Sequence, residues 1–387
     1  MTAACGEYYG PTSDGIAIPG RSRKTVVDNP IESSFMKKST AVVIGCGAIA
    51  REHLGALQEM KDVEVLAVCD LSPTRAEAMA ERFGIARWHT DYEHVLDQVR
   101  PDLVHITTPP SSHYPIARNC LGRKLNVLCE KPITLDYEQF TELKRLAEEN
   151  GCILIENQNL RYHSSIVRIQ DLLKAGQFGD IIDVQIFFAL NLVGPGSPYT
   201  DPNASHFGLA LRGGVIGDFL PHIAYLTYLF TGPVVDLRTI WSKRIPDTPL
   251  PSDEFRAFVK GERAPAYVGF SGISDVNGYW VRITGTRMAA ETNLLEPPRL
   301  TLRRFRPGEP ALASLRDGIA EARATFGGTT KAFLRKLGGT SSYDGLPEMI
   351  KAIYRAVAGR TPQPIPLAEI DDVTRLIDRF TETALQL

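Results

Sequence analysis

The sequence predicts an α/β domain built on a doubly wound parallel sheet, followed by an α+β domain built on a mainly antiparallel sheet. Three observations predict it. Between Ala41 and Glu156 the apolar runs AVVIG, VEVLAVC, DLVHIT, NVLCE and CILIE alternate with helical stretches such as PTRAEAMAERFG and DYEQFTELKRLAEENG, the spacing of parallel strands joined by crossover helices. The first run leads straight into a Gly-x-Gly-x-x-Ala turn at Gly45, Gly47 and Ala50. Beyond residue 160 the runs VVDLRTIW, EFRAFVK, PAYVGFSG and GYWVRITG alternate apolar and polar side chains, which suits strands with one face solvated or covered by a partner.

A chain of 387 residues with 43% hydrophobic side chains can bury two sizeable cores. Its 43 basic and 45 acidic side chains leave a formal charge of −2, which gives no footprint for nucleic acid. The six cysteines, Cys5, Cys46, Cys69, Cys120, Cys129 and Cys152, form no C-x-x-C pair and read as reduced thiols in a cytoplasmic protein. No run has the length of a signal peptide core or a membrane span.

Residues 1–36, rich in Gly, Ser, Pro and Thr, are expected to form a flexible extension. They are either an arm that wraps a neighbouring subunit or a stretch upstream of a natural start at Met36. Residues 37–160 form the expected first domain and 161–387 the second, which carries an Ala-rich helical insertion at about 310–337. That insertion reads as a lid, an oligomer contact or a membrane-surface helix, its mixed charges arguing against the last. Two helical patterns, PEMIKAIYRAVAG and LAEIDDVTRLIDRFTETAL, close the chain.

In a doubly wound sheet, ligands sit beyond the carboxyl ends of the strands. Attention therefore falls on Gly45–Ala50, Asp70–Pro73, Thr107–His113 and Glu130–Pro132. Gly45 permits the tight turn, Gly47 lets backbone N–H groups approach a pyrophosphate, and Ala50 keeps the helix close to the sheet. Asp70 ends the second apolar run, where a carboxylate can accept from a ribose hydroxyl. The competing reading is a glycine turn in an ordinary α/β sheet. Lys131 emerges at the same edge and reads either as a partly buried proton-exchanging amine or as a solvated loop lysine. Asp218 and His222 stand at i and i+4 on an apolar helix, so a carboxylate could set the tautomer of an imidazole base. The alternative is a capping Asp with a structural His. A zinc site lacks a compact His/Cys set, and no metal is expected.

The order of AVVIGCGAIA, ITTPPSSHYPIA, LCEKPIT, NLRYHSSIVRI and GGVIGDFLPH resembles the Gfo/Idh/MocA oxidoreductases over roughly Thr40 to Gly285. The resemblance implies a Rossmann domain, an open sheet domain that mediates a homo-oligomer (dimer or tetramer), and a triad of Lys131, Asp218 and His222. It implies cofactor contacts from Gly45, Gly47, Ala48, Ile49, Ala50, Asp70, Thr107, Thr108, Pro109, His113, Glu130 and Lys131. Arg161 matches a position near the substrate, beside Lys131, Asp218 and His222, or else forms an ion pair at a helix start. Two departures stand out: RGG replaces a run of three glycines, and Leu220 and Pro221 precede His222, with Pro221 able to kink the helix.

The implied function is an NAD(P)-dependent dehydrogenase or reductase, moving hydride between nicotinamide and a hydroxyl-bearing carbon of a sugar, inositol or related polyol. Asp70 favours NAD over NADP; Arg75, expected on the exposed face of the next helix, is the residue that could favour NADP. Two rivals remain at this point: redox-neutral, NAD-assisted glycoside cleavage, and a non-catalytic sensor of dinucleotide and sugar.

Overall fold

A computed structural model describes residues 38–200, 207–296, 299–304 and 344–384, with isolated positions between 308 and 330. The extension expected at 1–36 and most of the insertion expected at 310–337 lie outside the described residues.

The first sheet contains β1 (Ser39–Ile44), β2 (Val63–Cys69), β3 (Trp88–His89), β4 (Leu103–Ile106), β5 (Asn126–Cys129) and β6 (Leu154–Glu156). All pairings are parallel and the order is β3-β2-β1-β4-β5-β6. The order reverses beside β1, so the connections that leave the carboxyl ends of the paired strands β1 and β4 run to opposite sides and leave a crevice between them. The central strands are largely apolar because helices cover both faces: α1 (Ala48–Gln58), α2 (Pro73–Phe83), α3 (Tyr92–Gln98), α4 (His113–Gly122) and α5 (Tyr137–Asn150). Local chemistry marks the helix ends. Ser72 caps α2 ahead of Pro73, Asp136 caps α5 by accepting from Gln139 N, and Gly84 and Gly151 close those helices in the left-handed conformation.

The second sheet contains β7 (Ile181–Asn191), β8 (Val234–Ser242), β9 (Glu254–Gly261), β10 (Pro265–Ser271), β11 (Ile273–Gly285), β12 (Met288–Asn293) and β13 (Leu300–Arg304). Its order is β13-β12-β11-β7-β10-β9-β8; β7 and β10 are parallel and the other neighbours antiparallel. Alternation sorts its faces. Trp241, Phe255, Phe270, Phe188 and Tyr279 point inward, and the Phe188 and Tyr279 rings stack 4.4 Å apart. They pack against α6 (Ser164–Lys174) and α7 (Val215–Thr231). Pro221 lies inside α7 without ending it, and Leu220 and Pro221 are both buried on its packed face.

Two closing helices, α8 (Leu346–Val357) and α9 (Leu367–Thr381), tie the halves together. Leu346, Met349, Ile350 and Ile353 of α8 join the core around the parallel sheet. The chain thus leaves the first core near residue 160 and returns to it after residue 344. Helix α9 touches both cores, with Ile370 in the first and Val373, Leu376 and Phe380 in the second. No helix among the described residues is long and apolar enough to cross a membrane. Because Ile353 is fully buried in the first core, Ile353→Ala should destabilise the protein by about 2–5 kcal/mol, read as a lower denaturation midpoint at unchanged slope.

Candidate active site

A cleft of about 860 Å³ opens at the carboxyl ends of β1, β2, β4 and β5 and is closed on its far side by the start of α7. Its floor is the glycine turn. Gly45 has φ +99°, and a Cβ there would lie 2.7 Å from the backbone of Thr107 and Thr108, so only glycine lets the two loops approach. Gly47 caps α1 without a side-chain bond, and the first turn of α1 carries no acidic residue. Ala48 and Ile49 of that turn line the cleft, where a helix N-terminus suits an anion. Ala50 is fully buried beneath, against the sheet. Burial pushes the Cys46 thiol up to about 12, leaving it protonated and unreactive within the turn.

Asp70 anchors the adjacent corner. One carboxylate oxygen accepts from Cys46 N at 2.8 Å; the other accepts from Ser72 N at 2.8 Å and Arg75 Nε at 3.1 Å. Arg75 was expected to turn away on the face of α2, but its guanidinium folds back onto Asp70 while staying 63% exposed. Thr107 uses its hydroxyl internally, donating to the carbonyls of Ile44 and Gly45. Thr108 has a buried hydroxyl without a protein partner, and it lines the cleft with Pro109. His113 lies behind the wall, its ring nitrogens 2.7 Å from the Thr108 carbonyl and 2.8 Å from the Pro132 carbonyl. It braces one loop against the other rather than facing the cleft.

Lys131 and Asp218 meet across the opening. Lys131 Nζ donates to Asp218 Oδ1 at 2.7 Å and to the Asp218 carbonyl at 3.0 Å. Asp218 is positioned by the turn before α7, where Gly213 and Gly214 take φ of +77° and +63°. Trp241 and Pro251 fill the space that their side chains would need. The expected bond from Asp218 to His222 is absent from this arrangement. His222 Nδ1 lies instead 2.8 Å from the Tyr225 hydroxyl, one turn along α7, because Asp218 is drawn to the stronger cationic donor. Burial, reinforced by the Lys131 charge, lowers the His222 pKa to about 3, so the imidazole is neutral.

Glu130 is 7% exposed and accepts from His53 Nε2 at 3.0 Å and from Asn157 Nδ2. Burial works to raise its pKa, but these donors and Lys131 outweigh it and hold the carboxyl down at about 2. Of the two readings of Arg161, the substrate position is corrected and the ion pair is the one found. Its guanidinium forks onto the Glu369 carboxylate of α9, and Arg161 does not line the cleft. A fixed bidentate partner outcompetes an open, solvated position.

The reading of the sequence passed over Asn157, Asn159, Tyr199, Phe207 and Phe219, which also line the cleft. Asn157 directly follows β6, so the rule that selected the other strand ends would have selected it. Tyr225 was equally legible as the i+3 neighbour of His222. Tyr199 and Phe207 come from a connection whose course no local pattern dictates.

Residues 40–158 match the family model described as an oxidoreductase family with an NAD-binding Rossmann fold. The chain is 34% identical over 149 residues to a dTDP-3,4-didehydro-2,6-dideoxy-α-D-glucose 3-reductase of Streptomyces violaceoruber, covering 38% of this chain and 43% of that protein. It is 30% identical over 140 residues to a D-glucoside 3-dehydrogenase of Escherichia coli, covering 36% and 40%. The chain thus aligns with less than half the length of each of these relatives. In fold the likeness is wider. The WlbA dehydrogenase of Bordetella pertussis, solved with NADH and UDP-GlcNAcA, superposes with a TM-score of 0.75 at 18% identity over 91% of this chain and 96% of that one. Residues 40–158, with their parallel sheet and glycine turn, thus match the NAD-binding Rossmann fold of the Gfo/Idh/MocA oxidoreductase family.

Proposed function

We propose that this protein is an NAD-dependent dehydrogenase or reductase acting at a hydroxyl-bearing carbon of a sugar, inositol or related polyol. The observation that carries the reading is that the Lys131–Asp218 ion pair and His222 line the same cleft, whose floor suits a dinucleotide. The fit to NAD rests on the Gly45 cradle, the bare N-terminus of α1, the unpartnered Thr108 hydroxyl and the Asp70 carboxylate. When bound, the nicotinamide supplies a hydride acceptor or donor. Asp70 suits a free ribose 2′-hydroxyl and repels a 2′-phosphate, and its ion pair with Arg75 occupies the cation that NADP would need.

In the oxidation direction His222, neutral and hydrogen-bonded at Nδ1, takes the hydroxyl proton at Nε2. Tyr225 suits this role because its hydroxyl can accept from Nδ1–H. Lys131 donates to the same substrate oxygen and stabilises its developing negative charge, while Asp218 keeps the ammonium in place. Phe207, Phe219 and Tyr199 bring aromatic rings to the cleft and Asn159 brings an amide, a combination suited to a polyhydroxylated ring.

The outward face of the second sheet supports a homo-oligomer. Ile240, Phe258 and Tyr267 are exposed there, and Phe187 and Trp280 stack across neighbouring strands. A surface of this character is expected to pack against a second copy. Phe258→Glu should shift the sedimentation velocity of the protein from oligomer to monomer; an unchanged sedimentation coefficient would place the interface elsewhere.

The direct test follows reduced nicotinamide by absorbance while NAD⁺ and a panel of sugars, inositols and glycosides are added. Lys131→Ala should lower kcat by ~10²–10⁴-fold with little change in NAD⁺ affinity; a loss confined to substrate KM would remove Lys131 from proton handling. Since His222 protonates only near pH 3, its base form is populated at every working pH. The acid side of the kcat/KM profile should therefore show no His222 limb between about pH 5 and 7. A limb there that disappears in His222→Asn would contradict the assignment.

A further inference from the structure

Beneath the cleft lies a line of polar side chains for which the reaction as derived has no use. His53 on α1 is fully buried, as is His105 on β4, and Tyr354 on α8 is 3% exposed. His53 Nε2 lies 3.0 Å from Glu130 Oε1, His53 Nδ1 lies 2.9 Å from His105 Nδ1, and His105 Nε2 lies 3.0 Å from the Tyr354 hydroxyl. The tyrosine ring also stacks on His105 at 5.9 Å. Two histidines, a tyrosine and a carboxylate in an apolar core carry a desolvation cost that simple packing would avoid.

The hydrogen bonds can be satisfied in one sense throughout. Burial keeps His105 neutral, its pKa pulled well below the ordinary value. An ionised Glu130 has no proton to give, so His53 donates from Nε2. The Tyr354 O–H donates to Nε2 of the neutral His105, which therefore carries its proton on Nδ1 and donates it to His53 Nδ1. Reversing the chain would turn His105 into a donor towards Tyr354 and take away the acceptor of the tyrosine proton.

We infer that His53, His105 and Tyr354 form a buried positioning chain that holds Glu130 as an oriented carboxylate at the nicotinamide end of the cleft. This rests on the dinucleotide reading above. The hydroxyl of Tyr354 selects the tautomer of His105, which selects that of His53, so a residue near the end of the chain sets a donor beneath the cofactor. Other groups act on Glu130 as well. Lys131 follows it in the chain, His113 faces it from α4, His222 from α7 and Glu156 from the end of β6. Cys129 precedes it and Tyr225 lies on α7, both with thiol or phenol protonated by burial. His53 is the donor that the buried chain controls.

Removing the chain should let burial raise the Glu130 pKa. NAD⁺ affinity, measured by calorimetry at about pH 5 and pH 8, reads this without any substrate. In wild-type protein the two affinities should agree within about 2-fold, because Glu130 stays ionised. In His53→Leu the affinity at the lower pH should fall by ~10-fold relative to the higher, the result of moving a carboxyl to about one unit above the measuring pH. Adding Glu130→Gln should abolish that pH dependence. Tyr354→Phe removes one remote hydroxyl, is the variant to use if His53→Leu does not fold, and should shift the ratio in the same direction by a smaller factor. Folded variants whose affinity ratio equals that of wild type would overturn the positioning chain while leaving the dinucleotide site standing. Failure of wild-type protein to bind NAD⁺ would overturn both.

Discussion

The ion pair between Lys131 and Asp218 is the contact on which the site depends, because its partners belong to different cores. Lys131 follows β5 of the parallel sheet and Asp218 lies in the first turn of α7, packed on the antiparallel sheet. Their 2.7 Å separation holds only while the two cores keep their mutual placement. Helix α9 supplies part of that placement. Its Asp371 accepts from Tyr137 and pairs with Lys144 of α5, its Glu369 holds Arg161, and its apolar face enters both cores. A contact made at such a junction is sensitive to small shifts, since hydrogen-bond geometry degrades within fractions of an ångström.

Beside the cleft, two buried carboxylates have unlike fates. Burial raises both Glu130 and Glu156, but Glu130 is surrounded by donors and remains ionised with its pKa at about 2. Glu156, bonded to Ile133 N and Gln158 and close to the Glu130 charge, is left with its pKa at about 7. Two adjacent carboxyls cannot both keep their charge cheaply in a low-dielectric interior. The same physics keeps His222 neutral beside Lys131, which leaves a base and a cation side by side at the mouth of the cleft.

Much of the framework was legible because it is written in local patterns. Strand and helix alternation specified the parallel sheet, period-two alternation specified the second sheet, and the glycine turn with Asp70 marked the dinucleotide corner. Lys131, Asp218 and His222, singled out one by one in the sequence, all line the cleft. Their pairing was not legible there. Spacing on a helix suggested Asp218 for His222, yet Asp218 goes to a lysine 87 residues away and His222 to Tyr225. Arg161 reads as either a cleft residue or an ion-pair partner, and a glutamate 208 residues distant decides for the pair.

The sequence by itself determined which segments form strands and helices, which faces they bury, and which residues lie at the carboxyl edge of the first sheet. Periodicity and turn chemistry act over a few residues, so one dimension is enough to read them. Tertiary structure alone decided which charge meets which, that Arg75 folds onto Asp70, and that Tyr354 reaches His105 across 249 residues. Each of those choices is a competition between donors for one acceptor at hydrogen-bond distance, and only the packed chain brings the competitors together.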